Sequence, residues 1–358
     1  MIVEPRDYTI EEFLDYLMTN RRILRNEAGT KKWLKMYSFI TDSDWKNLEI
    51  FNHPKQFGEV YQIEIKNQKH YLIEPEQGWI VLFSIANDDV YHRQIEKIVR
   101  KTPGIMEFWV KPPEFEKFID TFLNKTNSLI YRFSSRTPPR MWETAYPETL
   151  WDRGIIRPNT ERRISYSGPD ATEAMREIRS MYGTVPDTVY LETNKGIKMR
   201  IKNDGLFAIQ RPSAETLGIY YDIIANISKE VLKLRDVGVS IKTDSEYKVE
   251  RHYWENSVIS QAGRINIKND RMVSAKDFKA FALACNDRYE HYNTLYTKAP
   301  FSITSEIYDS HKNSIMHADI TKNSIIVGYP IHGRFDTTLG YFKQILEYVD
   351  PNAELVRA

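Results

Sequence analysis

T-T-L-G-Y-F-K-Q-I-L, Thr337 to Leu346, restates a phrase that stands earlier in the chain, E-T-L-G-I-Y-Y-D-I-I, Glu215 to Ile224. Aligned from Thr216 and Thr338 over twelve residues, four are identical: Thr, Leu, Gly, and Ile223 with Ile345. Tyr220 against Phe342, Ile224 against Leu346 and Ile227 against Val349 add apolar matches at helical spacing. Leu217 and Leu339 join the apolar stripe of an amphipathic helix, and Gly218 and Gly340 fall in its first turns. A glycine there points to close packing rather than to ligand binding.

The surroundings of the two phrases share an order. Before the first, the pattern predicts a strand at Ile164 to Tyr166, a helix at Asp170 to Tyr182, and strands at Thr188 to Thr193, Ile197 to Lys202 and Leu206 to Gln210. Before the second it predicts a strand at Arg264 to Ile267 and a helix at Lys276 to Arg288. Strands at Phe301 to Tyr308, Ser314 to Ile320 and Ser324 to Tyr329 then lead to a helix capped by Asp336. Each part spells strand, helix, three strands, helix. Such units of antiparallel sheet with helices packed on one face belong to the α+β class, with ferredoxin-like and TATA-binding-protein-like (TBP-like) folds as examples.

The N-terminal part opens on a capping box, Thr9 and Glu12, with Ile10, Phe13, Leu14 and Leu17 on one helical face. Strand-like runs at Val60 to Lys66, His70 to Glu74 and Trp79 to Ile85 imply an antiparallel meander. A helix from about Asp88 to Arg100, a strand at Met106 to Val110, a helix opening at Pro112-Pro113 and a strand at Ser128 to Phe133 follow. This part reads as an α+β domain over 1–135, open to a third and more diverged copy of the unit. A Pro- and Trp-containing linker over 136–162, a middle unit over 163–250 and a C-terminal unit over 251–358, the duplicate of the middle one, complete the expected organisation.

Composition narrows the function. The 358 residues are 41% hydrophobic and 28% charged, and 50 basic against 49 acidic residues leave a formal charge of +1, which excludes a histone-like polycation. A single cysteine, Cys285, permits no intrachain disulfide. In F-A-L-A-C-N it reads as a buried, inert thiol. The first residues lack the basic start and apolar core of a signal peptide, and no uncharged apolar run is long enough for a membrane span, so a cytoplasmic protein without membrane contact is expected. Neither phosphate-binding glycine pattern nor a G-x-S-x-G elbow occurs, and no nucleotide cofactor is expected.

Nucleic acid is the partner that the residue patterns suggest. The stretch R-R-I-L-R-N-E-A-G-T-K-K-W-L-K sets Arg21, Arg22, Arg25, Lys31, Lys32 and Lys35 against Glu27 alone. A second patch has Tyr131-Arg132-Phe133 followed by Arg136 and Arg140. Arginine contacts phosphate and aromatic faces stack on bases, which is how single-strand platforms work. Lys195-Gly196-Ile197-Lys198-Met199-Arg200-Ile201 is similar to the central strand of RNA-recognition domains, but it lacks the stacking aromatics. The leading expectation is therefore a non-catalytic binding protein for nucleic acid or a nucleoprotein partner.

Two alternatives stand beside it. Glu64-Ile65-Lys66 on a strand, with Asp44 upstream, has the residue types of a metal-dependent nuclease that would hold Mg²⁺ on its carboxylates. Glu-x-Lys is also common as a cross-strand ion pair. A scaffold or oligomer-forming protein without nucleic-acid affinity would instead expose an apolar patch, around Trp142 and Trp151. The histidines His291, His311, His317 and His332, with Asp309, Asp319 and Asp336, form a concentration late in the chain, but their spacing matches no zinc motif.

Overall fold

The computed structural model describes residues 3–20, 32–41, 45–51, 53–65, 67–87, 91–137, 162–182, 184–239, 247–248, 258–267, 274–330, 335–350 and 352–356. The chain divides into two compact units, Met1–Arg136 with Arg163–Leu232, and Thr137–Arg162 with Lys233–Ala358.

The first unit begins with α1 (Ile10–Thr19), β1 (Leu34–Thr41) and two 3₁₀ turns (Trp45–Asn47 and Glu49–Phe51). A meander of β2 (Lys55–Phe57), β3 (Val60–Ile65), β4 (Gln68–Glu76) and β5 (Trp79–Ser84) follows. A π-helical turn (Tyr91–Glu96) runs into α2 (Lys97–Lys101), then come β6 (Ile105–Glu107), α3 (Pro112–Thr126) and β7 (Ser128–Thr137). After β8 (Arg162–Ser167) and α4 (Ala171–Tyr182), a second meander of β9 (Val185–Thr193), β10 (Lys198–Lys202) and β11 (Leu206–Ile209) leads to α5 (Ala214–Val239). The predicted capping box closes α1: Glu12 N donates to Thr9 Oγ1 at 3.2 Å and Thr9 N to Glu12 Oε2 at 3.0 Å.

These eleven strands make one sheet, ten of them in the order β2-β3-β4-β5-β1-β11-β10-β9-β7-β8 and β6 paired beside them with β1. β1 is its keystone. Residues 35–40 pair antiparallel with β5 on one edge, while on the other edge β11 takes residues 34–37 and β6 takes residues 39–41. All eight residues of β1 are buried. Helices were expected on one face only; around β1 both faces are covered. On one, Tyr37, Phe39, Leu72 and Leu82 pack with Trp45 and Phe51 of the 3₁₀ turns and with Ile95 and Val99. On the other, Phe13 of α1 meets Phe83 edge-on at 5.3 Å and Tyr71 at 5.9 Å. Further along that face, Phe207 stacks on Tyr220 of α5 at 4.7 Å and touches Phe122 of α3 at 5.5 Å. Burying such rings is the main favourable term in forming the layer.

The second unit holds β12 (Tyr247–Lys248), β13 (Val258–Asn266), α6 (Ala275–Ala284), β14 (Tyr289–Thr297), β15 (Ser302–Asp309), β16 (Ser314–Thr321), β17 (Ser324–Pro330), α7 (Phe335–Tyr348) and β18 (Glu354–Val356). Its sheet runs β12-β13-β17-β16-β15-β14, with β18 also on β13. β15 alternates strictly between half-buried and buried residues, so one sheet face is sealed and the other is open. The sealed face packs on α6 and α7 through Tyr289, Phe281 and Tyr341.

Both units are therefore mixed α+β with antiparallel pairing. Four strands, not three, separate α6 from α7, because β14 precedes the three predicted ones. Strand order also separates the regions that the T-L-G phrase linked. In the middle region the first strand, β8, lies beyond β7 at the far end of the sheet, on the side of β9. In the second unit the corresponding strand, β13, lies beside the last strand of the meander, β17. The N-terminal run has that same strand plan, with two 3₁₀ turns where the second unit has α6: a first strand, a four-strand meander whose last member pairs with it, a helix, and a short strand on its other edge.

Candidate nucleic-acid interface

β7, β9 and β10 carry apolar residues on the face toward α3: Ile130 pairs with Leu191, and Leu191 with Met199. All three are fully buried. Because successive strand residues alternate faces, the neighbouring positions point the other way. On that face Arg132 stands opposite Tyr190, Tyr190 opposite Arg200, and Arg200 opposite Ala208. A bulge between Ile130 and Arg132 admits Tyr131 as an extra residue, and its ring lies against Tyr190, centroids 6.0 Å apart at 59°.

Each ring carries a cation. The Arg132 guanidinium carbon lies 5.1 Å from the Tyr190 centroid, and Lys198 Nζ lies 5.1 Å from that of Tyr131. Such contacts contribute only about 0.5–1 kcal/mol at exposed sites, so folding alone does not call for them. Leu129, on the same face, is 66% exposed. Burial, with Tyr190 and Glu192 alongside, raises the Tyr131 hydroxyl above its ordinary value, so the ring stays neutral.

The surrounding charge is mixed but leans positive. Lys198 pairs with Glu192 at 3.8 Å, and Arg163 with Asp187 at 3.9 Å, both loosely. Arg163 also donates from Nε to Ser134 Oγ at 3.3 Å. Arg132 is exposed, as are Arg136 at the far end of β7 and Lys195 in the β9–β10 turn. Arg200 is largely buried, 9% exposed, behind the rings. The string Lys195 to Ile201 forms the turn and strand β10; Tyr190 stands on β9 beside it, and Tyr131 on β7, one strand further. Tyr190 was missed in the sequence, although the alternation in Val-Tyr-Leu-Glu-Thr marks it as outward-facing once β9 is recognised.

The first basic stretch does not assemble into a described patch. Arg21, Arg22, Arg25 and Lys31 lie outside the described residues, as does Arg140 of the second patch. Lys32 donates to Asn87 Oδ1 at 2.7 Å. Lys35, expected to meet phosphate, is 4% exposed as the second residue of β1, and its ammonium donates to Ala86 O. A strand buried on both faces leaves that side chain no route to the surface.

The other constellations are dispersed. Glu64 is exposed on β3 opposite Lys69, the cross-strand arrangement, while Asp44 and Lys66 lie outside the described residues. No group of three or more residues able to hold a metal occurs among the described residues. His291 points into the sealed face, between Phe278 and Phe281, with Nε2 3.2 Å from Tyr341 Oη, and burial pushes it down to about 4. His317 and Asp319 do share the open face, 3.6 Å apart, but His332 lies outside the described residues. Asp309 is fully buried and serves structure: it accepts two bonds from Arg288, at 3.1 and 2.9 Å, and one each from the backbone of His311 and Lys312. Asp336 likewise faces buried Lys312 at 3.9 Å. Cys285 is buried, and burial pushes its thiol well up.

One cluster was not anticipated. Ser84 Oγ lies 3.0 Å from His70 Nδ1 and accepts from Ala86 N at 3.0 Å, with Lys35 on the same row. Serine and histidine at this spacing suit nucleophilic chemistry, but exposure of 0% and 1% closes them to any substrate. Trp142 and Trp151 lie outside the described residues. Of the exposed large apolar side chains that are described, Tyr292, Leu295 and Tyr296 lie on the edge strand β14, and Ile315 lies on β16, two strands away. No described helix is long and apolar enough to cross a membrane.

No protein-family profile matches the chain, and no solved structure matches it. It is similar to an uncharacterized protein of Archaeoglobus fulgidus, 22% identical over 229 residues, which cover 62% of this chain. The match spans 60% of that relative's own length.

Proposed function

We propose that the protein is a non-catalytic binder of nucleic acid, acting through the face of β7, β9 and β10. The supporting observation is the pair of touching tyrosine rings, each under a cation, on a sheet face where Leu129 and Arg132 stay exposed. Phosphates meet Arg132, Arg163 and Lys198, and release of condensed counterions contributes to the contact. Three such contacts give a log–log slope of affinity on salt of about −2 for a single strand. Fluorescence anisotropy of the full chain with a labelled oligonucleotide, between low and moderate salt, measures it. A flat salt response, or unchanged affinity in Arg132→Glu and Lys198→Glu, refutes the proposal. The same oligonucleotide incubated with Mg²⁺ is expected to stay intact; cleavage that Glu64→Ala abolishes would restore the nuclease.

We also infer that the runs β1 to β6 and β13 to β18 are copies of one ancestral unit. Their common strand order supports this better than the T-L-G phrase does.

A further inference from the structure

We propose that the tyrosine pair selects single strands, with Tyr131 and Tyr190 taking the faces of two unpaired bases while Arg132, Arg163 and Lys198 hold the phosphates beside them. This rests on the nucleic-acid reading above and adds the form of the ligand. Phosphate binding alone needs no aromatic surface, yet two rings from adjacent strands lie 6.0 Å apart at the centre of the face. Leu129, 66% exposed, extends the apolar area beside them. A duplex buries its base faces in its own stack and could meet these rings only with its backbone. A splayed single strand brings bases that stack on tyrosine, and on the plane of a guanidinium such as that of Arg132 above Tyr190. Electrostatics point the same way. Glu192 and Asp187 partly offset Lys198 and Arg163, so phosphate attraction is modest and stacking has to supply much of the affinity.

The test titrates the full chain with three labelled probes at one salt concentration: a twelve-nucleotide oligothymidylate, an abasic strand of equal length and a blunt twelve-pair duplex. The oligothymidylate is expected to bind at least about tenfold more tightly than either of the others, the scale of one or two stacked bases. Tyr131→Ala and Tyr190→Ala should each weaken oligothymidylate binding about fivefold or more and leave the abasic strand unaffected, whereas the Phe variants keep the affinity. Equal affinity for all three probes in the unaltered protein overturns the stacking claim and leaves phosphate binding standing. Absence of binding to any probe overturns both. The probe comparison needs no variant, so a misfolded Ala variant leaves the decision intact.

Discussion

Gly340→Ala and Gly218→Ala make the same change in the same phrase, and the structure predicts opposite signs. At 340 an added Cβ would overlap the Tyr289 hydroxyl and stand 2.5 Å from Nη2 and 2.9 Å from Cζ of Arg288. Neither neighbour is free to give. The Tyr289 hydroxyl donates to Thr337 O at 3.3 Å inside the core, and Arg288 is held at both ends of Asp309. Overpacking of this kind costs about 1–3 kcal/mol. Displacing Arg288 far enough to strand the buried carboxylate would add about 3–5 kcal/mol. Against this, alanine gains about 1 kcal/mol over glycine in a helix interior. The expected result is a net loss of up to about 2 kcal/mol from overpacking alone, and of about 3–7 kcal/mol where Arg288 is displaced. At 218 the added methyl meets nothing within 4 Å, and the position is exposed, so only the helical gain of up to about 1 kcal/mol remains. Hydrogen exchange read by mass spectrometry on peptides from α7 and α5 gives each effect in its own unit, and urea unfolding gives the sum. Protection of α7 equal to or above that of the unaltered protein in Gly340→Ala would refute the packing argument. So would a loss at α5 in Gly218→Ala.

Acid should weaken the fold through two histidines. Burial pushes His70 and His291 from 6.5 down to about 4, so their contribution is complete above 6.5 and is lost as pH falls from there toward 4, up to roughly 3 kcal/mol each. The urea midpoint should fall across that window, and His291→Phe, flanked by Phe278 and Phe281, should flatten part of the fall. Lys35→Ala removes a buried stem and should cost about 2 kcal/mol or more in chemical denaturation while oligonucleotide affinity per folded molecule is unchanged. Arg132→Ala is expected to do the reverse, weakening binding without moving the unfolding midpoint by more than about 0.5 kcal/mol. Cys285 should react with a thiol reagent only at the rate of unfolding, since it is buried with its thiol pushed up; fast labelling of the native protein would contradict that burial.

What could be read from the sequence was decided by how each strand is buried. β3, β4 and β5 were legible because short turns separate strongly apolar runs. L-K-M-Y-S-F-I-T was not, because β1 is covered on both faces and shows no alternation, and Lys35 made it look like the end of a basic surface stretch. β14 escaped for the opposite reason. It is an edge strand whose last six residues are exposed, and a bulge between Tyr292 and Leu295, with Asn293 at φ 44°, breaks its period of two. At the candidate site Tyr131 and Arg132 were visible as a cluster. Their partner Tyr190 lies 58 positions beyond Arg132, and only strand pairing brings the two together. The T-L-G phrase led to two real helices, but a shared helix start does not fix which edge a strand takes.

The position of β1 has a consequence for synthesis. Its half from Leu34 to Tyr37 finds its second partner only at Leu206 to Ile209, roughly 170 residues further on. At about 5–20 residues per second, a ribosome needs on the order of ten to thirty seconds to deliver that partner. Throughout that interval β1 presents a bare apolar edge beside a meander already able to form. The nascent chain is thus most exposed to wrong pairing just before β11 emerges, and holding that edge would be the natural task of a chaperone.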